Sequence, residues 1–263
     1  MSRLWPLEIA VHLGPGRVAL ARRGGALAEL PVPEGAAGDV GPAMARLSEL
    51  VAELSGRGGV ARVVVADDWA RYAVVPWPEA RLDAAGRIRH ARFLLSDTYG
   101  EEVAGWDVAL ADAPPGRPYL ACALPEALKG ALEDALAPAR LKLASLRPQL
   151  VAAYSAWRRR LPWDDAWFVS VDEGSLSAVH LSRGEWDRVH VARLSPDWIV
   201  ELERLQALGR LTRASGSPGR MFVEAPAALR RGAPAGTGIE WLEERADPGE
   251  RARALALLRR ARA

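Results

Sequence analysis

One cysteine, Cys122, occurs in 263 residues, so no internal disulfide forms and no cysteine metal cluster exists. It sits in the apolar run 119–124 (YLACAL), which predicts a buried structural thiol. Lysine is almost missing as well. Lys129 and Lys142 stand among 35 basic residues, and the rest of the positive charge is arginine, a bias that fits GC-rich coding. Acidic residues number 33, and the resulting net charge of +2 is too small for the basic footprint that nucleic acid demands. The 4 histidines, at 12, 90, 180 and 190, have no ligand-like helical spacing, which argues against a zinc site. No stretch of 18 apolar residues occurs, and residues 1–6 lack the apolar core of a signal peptide, so neither secretion nor a membrane span is expected. P-loop, G-x-S-x-G and G-x-G-x-x-G motifs are absent.

What is present is ordinary globular protein: 49% apolar and 26% charged residues, with length enough for two lobes. Residues 7–13 (LEIAVHL) alternate, Gly14-Pro15-Gly16 supplies a turn, and 17–22 (RVALAR) returns as the second strand of a hairpin. A turn at Gly24-Gly25 leads into a strand at 28–32. An amphipathic helix follows over 40–54, with Asp39 as N-cap and Gly56 as its stop, and then a buried strand at 62–66. The order β-β-β-α-β returns later in the chain. Strands at 167–171, 176–181 and 186–192 are joined by turns at Asp172-Glu173-Gly174-Ser175 and Arg183-Gly184. A helix follows from Pro196 to about Thr212, and then a strand at 220–223.

Between the two halves, the pattern predicts a strand at 72–75, a helix over 82–99, strands at 106–110 and 119–124, a helix over 125–136 and a strand at 141–146. That is the β-α-β-β-α-β order of a ferredoxin-like unit. A helix from Pro148 to about Arg160 enters the second half. After Val223 come a loop near 230–236, a short strand at 239–242 and an Arg-rich helix over 248–262. The expected architecture is α/β with three parts: 1–68 and 147–263 as duplicated halves, and 69–146 as the insert.

This plan resembles the actin/Hsp70-like (RNase H-like) fold, and within it the pilus and type II secretion assembly proteins of the PilM, MshI and GspL cytoplasmic-domain kind. The residues that carry the resemblance are 7–20, Phe93-Leu94-Leu95 through 106–110, the run 141–154, and above all 171–186 (VDEGSLSAVHLSRGEW). The resemblance implies a cytoplasmic protein, peripheral to the inner membrane, that binds the cytoplasmic tail of a bitopic PilN-like or MshJ-like partner. It further implies coupling to a hexameric assembly ATPase, with a homodimer as one further arrangement.

In active members of the fold each half carries an Asp-x-Gly turn that holds nucleotide phosphates through backbone N–H groups and arranges Mg²⁺ through the carboxylate. Here the second turn survives as Asp172-Glu173-Gly174-Ser175. The first reads as His12-Leu13-Gly14, with an imidazole in the carboxylate's place and Pro15 removing a backbone donor. The Gly-Gly turn expected to receive adenosine is replaced by Glu224-Ala225-Pro226-Ala227-Ala228. Gly14, Asp172, Gly174 and Ser175 are therefore expected to be vestigial phosphate residues. No catalytic residue and no resident metal or cofactor is expected, ATP·Mg²⁺ being the only candidate; the alternative is an active ATPase or small-molecule kinase using Asp172.

The carboxylate pairs Asp67-Asp68 and Asp164-Asp165 fall at strand ends and read as capping or solvated residues. Ten tryptophans against three phenylalanines is unusual; most are expected in the core, while Trp69, Trp77 and Trp163 lie beside loop signals. Trp69, Tyr72 and Trp77 are the candidate partner-binding residues. Arg251, Arg253, Arg259, Arg260 and Arg262 would form a solvated helix face or meet an acidic lipid surface.

Overall fold

The computed structural model describes residues 7–22, 26–33, 38–54, 58–172, 174–211, 219–230, 238–242 and 250–262. The expected features at Gly24-Gly25, Gly56, Glu173 and Pro248, and most of the loop near 230–236, lie outside them.

The first unit comprises residues 1–70, 125–156 and 244–263. Its strands are β1 (Leu7–Leu13), β2 (Arg17–Arg22), β3 (Leu27–Pro31), β4 (Gly59–Val65) and, after a long excursion, a strand over Leu141–Pro148. They form one sheet in the order β3-β2-β1-β4 and then Leu141–Pro148 at the edge. β1 pairs antiparallel with β2 and parallel with β4, so the apolar strand β1 is central, as its burial requires. Helix α1 (Gly41–Ala52) follows β3, and Asp39 Oδ1 accepts from the Gly41 N–H at 2.8 Å, one residue ahead of the cap position at Val40.

The excursion consists of β5 (Arg71–Val75), α2 (Ala84–Tyr99), β6 (Asp107–Leu110) and β7 (Tyr119–Leu124), a three-stranded sheet in the order β5-β7-β6. Here the ferredoxin-like expectation is corrected. The helix α3 (Glu126–Leu136) and the strand β8 (Leu141–Pro148) do not belong to the insert: β8 pairs parallel with β4, and α3 lies against α1. The insert is β-α-β-β, residues 71–124. Pro148 ends β8, and the expected helix follows it directly from Gln149.

The second unit comprises residues 71–124 and 157–243. Its main strands are β9 (Ala166–Val171), β10 (Ser175–Ser182), β11 (Glu185–Arg193), β12 (Arg220–Glu224) and β13 (Ile239–Trp241), in the order β11-β10-β9-β12-β13. This repeats the first sheet strand for strand. The helices fall in matching places: α4 (Gln149–Trp157) closes the first half, and α5 (Trp198–Leu211), α6 (Ala227–Arg230) and α7 (Glu250–Arg262) follow β11, β12 and β13. The duplication therefore runs through β-β-β-α-β-α-β-α in both halves, further than the sequence pattern reaches.

On the second sheet Trp167, Val169, Val171, Leu176 and Ala178 share one face, covered by Trp198, Leu202 and Leu205 of α5. On the first sheet the opposite face carries a layer of small residues: Ala10, Ala19, Ala21 and Val64 receive Leu257, Leu258 and Ala261 of α7. Alanines on the strands let that helix come close. One face of α7 thus belongs to the core, while Arg259 and Arg262 lie exposed, as expected of a solvated face, and Arg262 Nε donates to Glu8 Oε1 at 2.8 Å. Cys122 on β7 is half-buried, not buried as the apolar run suggests, because β7 turns it away from the α2 side.

Two predictions follow from this framework. Gly59 opens β4 at φ 155°, where a Cβ would lie 2.0 Å from the Leu7 carbonyl oxygen. Gly59→Ala is expected to cost about 3 kcal/mol in urea unfolding, whereas Gly105→Ala, with open space around it, stays near wild type. The hydrogen bond from Arg262 holds the Glu8 carboxyl below its ordinary value of 4.5. A lowered folded-state pKa gives stability that is complete above the unfolded value and lost as pH falls through the folded one. Arg262→Gln is accordingly expected to flatten the fall in urea midpoint as pH drops below that ordinary value; an unchanged slope would refute the link.

Candidate functional site

Each half presents a tight hairpin turn between its first two strands. In the first, the Gly14 N–H donates to Arg17 O at 3.0 Å and the Val32 N–H donates to Gly16 O at 2.9 Å. In the second, the Asp172 N–H donates to Ser175 O at 2.9 Å and the Leu194 N–H donates to Gly174 O at 2.9 Å. The strand registers agree: Leu13 faces Val18 as Val171 faces Leu176, and His12 faces Ala19 as Ser170 faces Ser177. The same two backbone bonds therefore close both turns, and they fix which residues correspond.

That correspondence corrects the sequence alignment by two positions. Gly14 matches Asp172, Gly16 matches Gly174 and Arg17 matches Ser175. His12 matches Ser170, inside the strand, and does not stand in the carboxylate's place. Residues 14–16 hold two glycines, so a match on glycine alone admits two frames, and only the turn-closing bonds choose between them. The position that carries a carboxylate in the second half carries no side chain in the first.

Mg²⁺ takes oxygen ligands. At the first hairpin Gly14 offers none, its N–H is spent inside the turn, and Pro15 has no N–H to give. A Cβ built on Gly14 would stand 3.2 Å from His12 Cε1 and 3.4 Å from Arg17 O, so even an aspartate there would need the imidazole to yield. These residues do not fit a metal-bound phosphate. At the second hairpin Asp172 is 9% exposed and Ser175 3%, and both keep their oxygen chemistry. At the end of β12, Glu224 Oε2 accepts from the Trp157 indole N–H at 2.7 Å, both groups buried, and the Pro226 carbonyl starts α6.

The candidate partner-binding aromatics separate. Trp69 and Tyr72 are 2% and 3% exposed, which corrects the expectation that loop-adjacent aromatics are available to a partner. Tyr72 follows the turn directly into a strand, where alternation turns it inward. Trp77 is half-buried, and Trp163 is 73% exposed, lying over Gly184. His180 Nδ1 lies 3.0 Å from Asp187 Oδ2, and His190 Nε2 2.9 Å from Glu201 Oε1. Among the described residues no three His, Cys, Asp or Glu side chains cluster as a metal ligand set, and no helix is long and apolar enough to cross a membrane.

Asp67, read from the sequence as a capping or solvated carboxylate, is a cap whose helix the sequence does not name. It is 1% exposed, and its two carboxylate oxygens accept from the Leu150 N–H at 3.2 and 3.0 Å, capping α4 from far away in the chain. The sequence signal was only that a carboxylate follows a buried strand.

The chain has the actin-like ATPase fold. It is similar to a chain of the PilM–PilN type IV pilus biogenesis complex at 18% identity and a TM-score of 0.68, over 97% of this chain and 98% of that one. The cytoplasmic domain of EpsL, an inner membrane component of the type II secretion system of Vibrio cholerae, matches at 13% identity and 0.58, over 97% and 94%. A Bacteroides thetaiotaomicron protein with an actin-like ATPase fold and unknown function matches at 10% identity and 0.58, over 86% and 84%. No protein-family model and no curated protein sequence matches.

Removing the distant cap leaves a buried helix terminus unpaired. Asp67→Ala is expected to lose about 2 kcal/mol, read from urea unfolding, while Asp164→Ala at an exposed position shifts nothing measurable. Equal effects at the two sites would remove the capping assignment.

Proposed function

We propose that the chain is a non-catalytic cytoplasmic scaffold, peripheral to the inner membrane, in the assembly platform of a type IV or MSHA-type pilus or of a type II secretion system. It binds the cytoplasmic tail of a bitopic partner, PilN-like or MshJ-like, and couples that partner to the hexameric assembly ATPase. The observation that carries the reading is the unequal pair of hairpins: one half keeps Asp172, while the other has Gly14 and Pro15 at the matching place. A fold that clamps phosphate with two turns has one left. The likeness to a chain of the PilM–PilN complex over nearly the whole length supports the pilus part of the reading.

Physically, a short tail is held by main-chain pairing along a strand edge or by apolar anchors in a groove. Of the three aromatic candidates, only Trp77 keeps exposed ring surface for that purpose. The retained Asp172 favours a second reading, an ATPase or small-molecule kinase of the same fold.

Calorimetric titration separates the two. The purified chain is expected to bind a synthetic tail of a bitopic protein from its own operon at micromolar concentration, equally with and without millimolar ATP·Mg²⁺, and to show no saturable nucleotide binding. Failure of every such tail to bind would sink the scaffold reading. Saturable ATP·Mg²⁺ binding that vanishes in Asp172→Ala would establish the rival.

A further inference from the structure

Two polar groups on the insert are buried with nothing to bond. Tyr119, the first residue of β7, is 3% exposed, and its hydroxyl meets no hydrogen-bond partner. Arg87, in the first turns of α2, has a buried Nε–H that also lacks an acceptor. They belong to one cluster. The Arg87 guanidinium carbon lies 6.0 Å from the Trp77 ring centroid, and Trp77 meets the Tyr119 ring edge-on at 6.3 Å. Burial pushes the Tyr119 phenol up from its ordinary value, and the nearby charge of Arg87 pulls it part of the way back.

The chemistry of the orphans says what is missing. A guanidinium N–H only donates, and a neutral phenol whose O–H has no acceptor lacks the same thing. Both groups therefore want an acceptor, and the guanidinium, being a cation, wants a negative one. The carboxylate closest in sequence is already engaged: Asp83 Oδ1 accepts from the Gly86 N–H at 2.6 Å as the cap of α2. A guanidinium backed by an indole keeps its donor edge, the edge that matches a carboxylate, turned away from the ring. One cation balances one carboxylate, whereas a phosphate dianion would be left half-compensated.

We infer that Arg87, Tyr119 and Trp77 form a binding subsite for the carboxylate of a peptide, either an acidic side chain or a free carboxy terminus. Arg87 supplies the charged fork and Tyr119 a further donor, while Trp77 gives an apolar wall for the flanking residue. Use of the subsite by a bitopic partner's tail rests on the platform reading; the subsite itself does not.

The test follows the Arg87 Nε–Hε resonance in ¹⁵N-arginine-labelled protein, identified by its loss in Arg87→Gln. Sodium acetate is titrated against sodium chloride at constant ionic strength, with inorganic phosphate as a parallel arm. The expected result is a saturable shift with acetate that is roughly tenfold weaker in Tyr119→Phe. That variant is also expected to keep or raise its Tm, because it removes an unpaired buried hydroxyl. No saturable shift, a shift of equal affinity in Tyr119→Phe, or saturation by phosphate alone would each overturn the carboxylate assignment. A lowered Tm in Tyr119→Phe without acetate dependence would mean that a trapped water satisfies the hydroxyl, and overturns it too. Tail peptides that fail while the acetate shift persists count against the platform reading only; tails that bind without an acetate shift count against the subsite only.

Discussion

The buried carboxylate of Asp67 holds together two points of the chain that are 83 residues apart. It stands where β4 ends and the chain departs for the insert, and it caps the helix that starts once the chain has come back through α3 and β8. Without that anchor the first turn of α4 would carry unpaired N–H groups in a buried place, and unpaired buried donors are costly. The return of β8 to the edge beside β4 depends on the same closure, because β8 runs directly into α4. A long insertion between adjacent strands is affordable because loop closure costs grow only slowly with length, provided the ends of the excursion are fixed. Asp67 fixes them on the side of the first sheet.

Most of the elements are legible in the sequence because their periodicities are strong. The alternation in β1, the buried runs in β4 and β9 and the 198–202–205 spacing of α5 each name a type and a face. Partnership is what periodicity cannot express. β8 reads as a strand in either assignment, and its pairing with β4 rather than with the insert's sheet depends on contacts across the fold. The same limit applied to the aromatics. Tyr72 and Trp69 sit beside turn signals, yet strand alternation and the turn at 67–69 carry them inward.

The site shows the limit most sharply. A glycine match put His12 opposite Asp172, and two backbone hydrogen bonds in each turn move the correspondence to Gly14. The sequence contained Gly14-Pro15-Gly16 all along, but composition does not say which glycine closes a turn. The helix that Asp67 caps and the orphaned donors at Arg87 and Tyr119 are invisible for a related reason: each is defined by what a polar atom meets, or fails to meet, far along the chain.

The two hairpins also differ in what they ask of their surroundings. Both are closed by the same backbone bonds, so neither turn needs a bound ion to keep its shape. A carboxylate at 9% exposure, as at Asp172, nevertheless requires compensation for its desolvated charge. Glycine at the matching position requires none, and proline after it narrows the backbone further. The exchange of Asp for Gly-Pro therefore leaves a hairpin with no buried charge to compensate. A chain that turns over nucleotide needs both turns responsive to the phosphate chain, whereas a chain that holds protein partners in fixed geometry is better served by a turn that does not respond. On the proposed reading, the loss at Gly14 is then less a decay of the first half than a consistent consequence of a task in which shape must not depend on nucleotide.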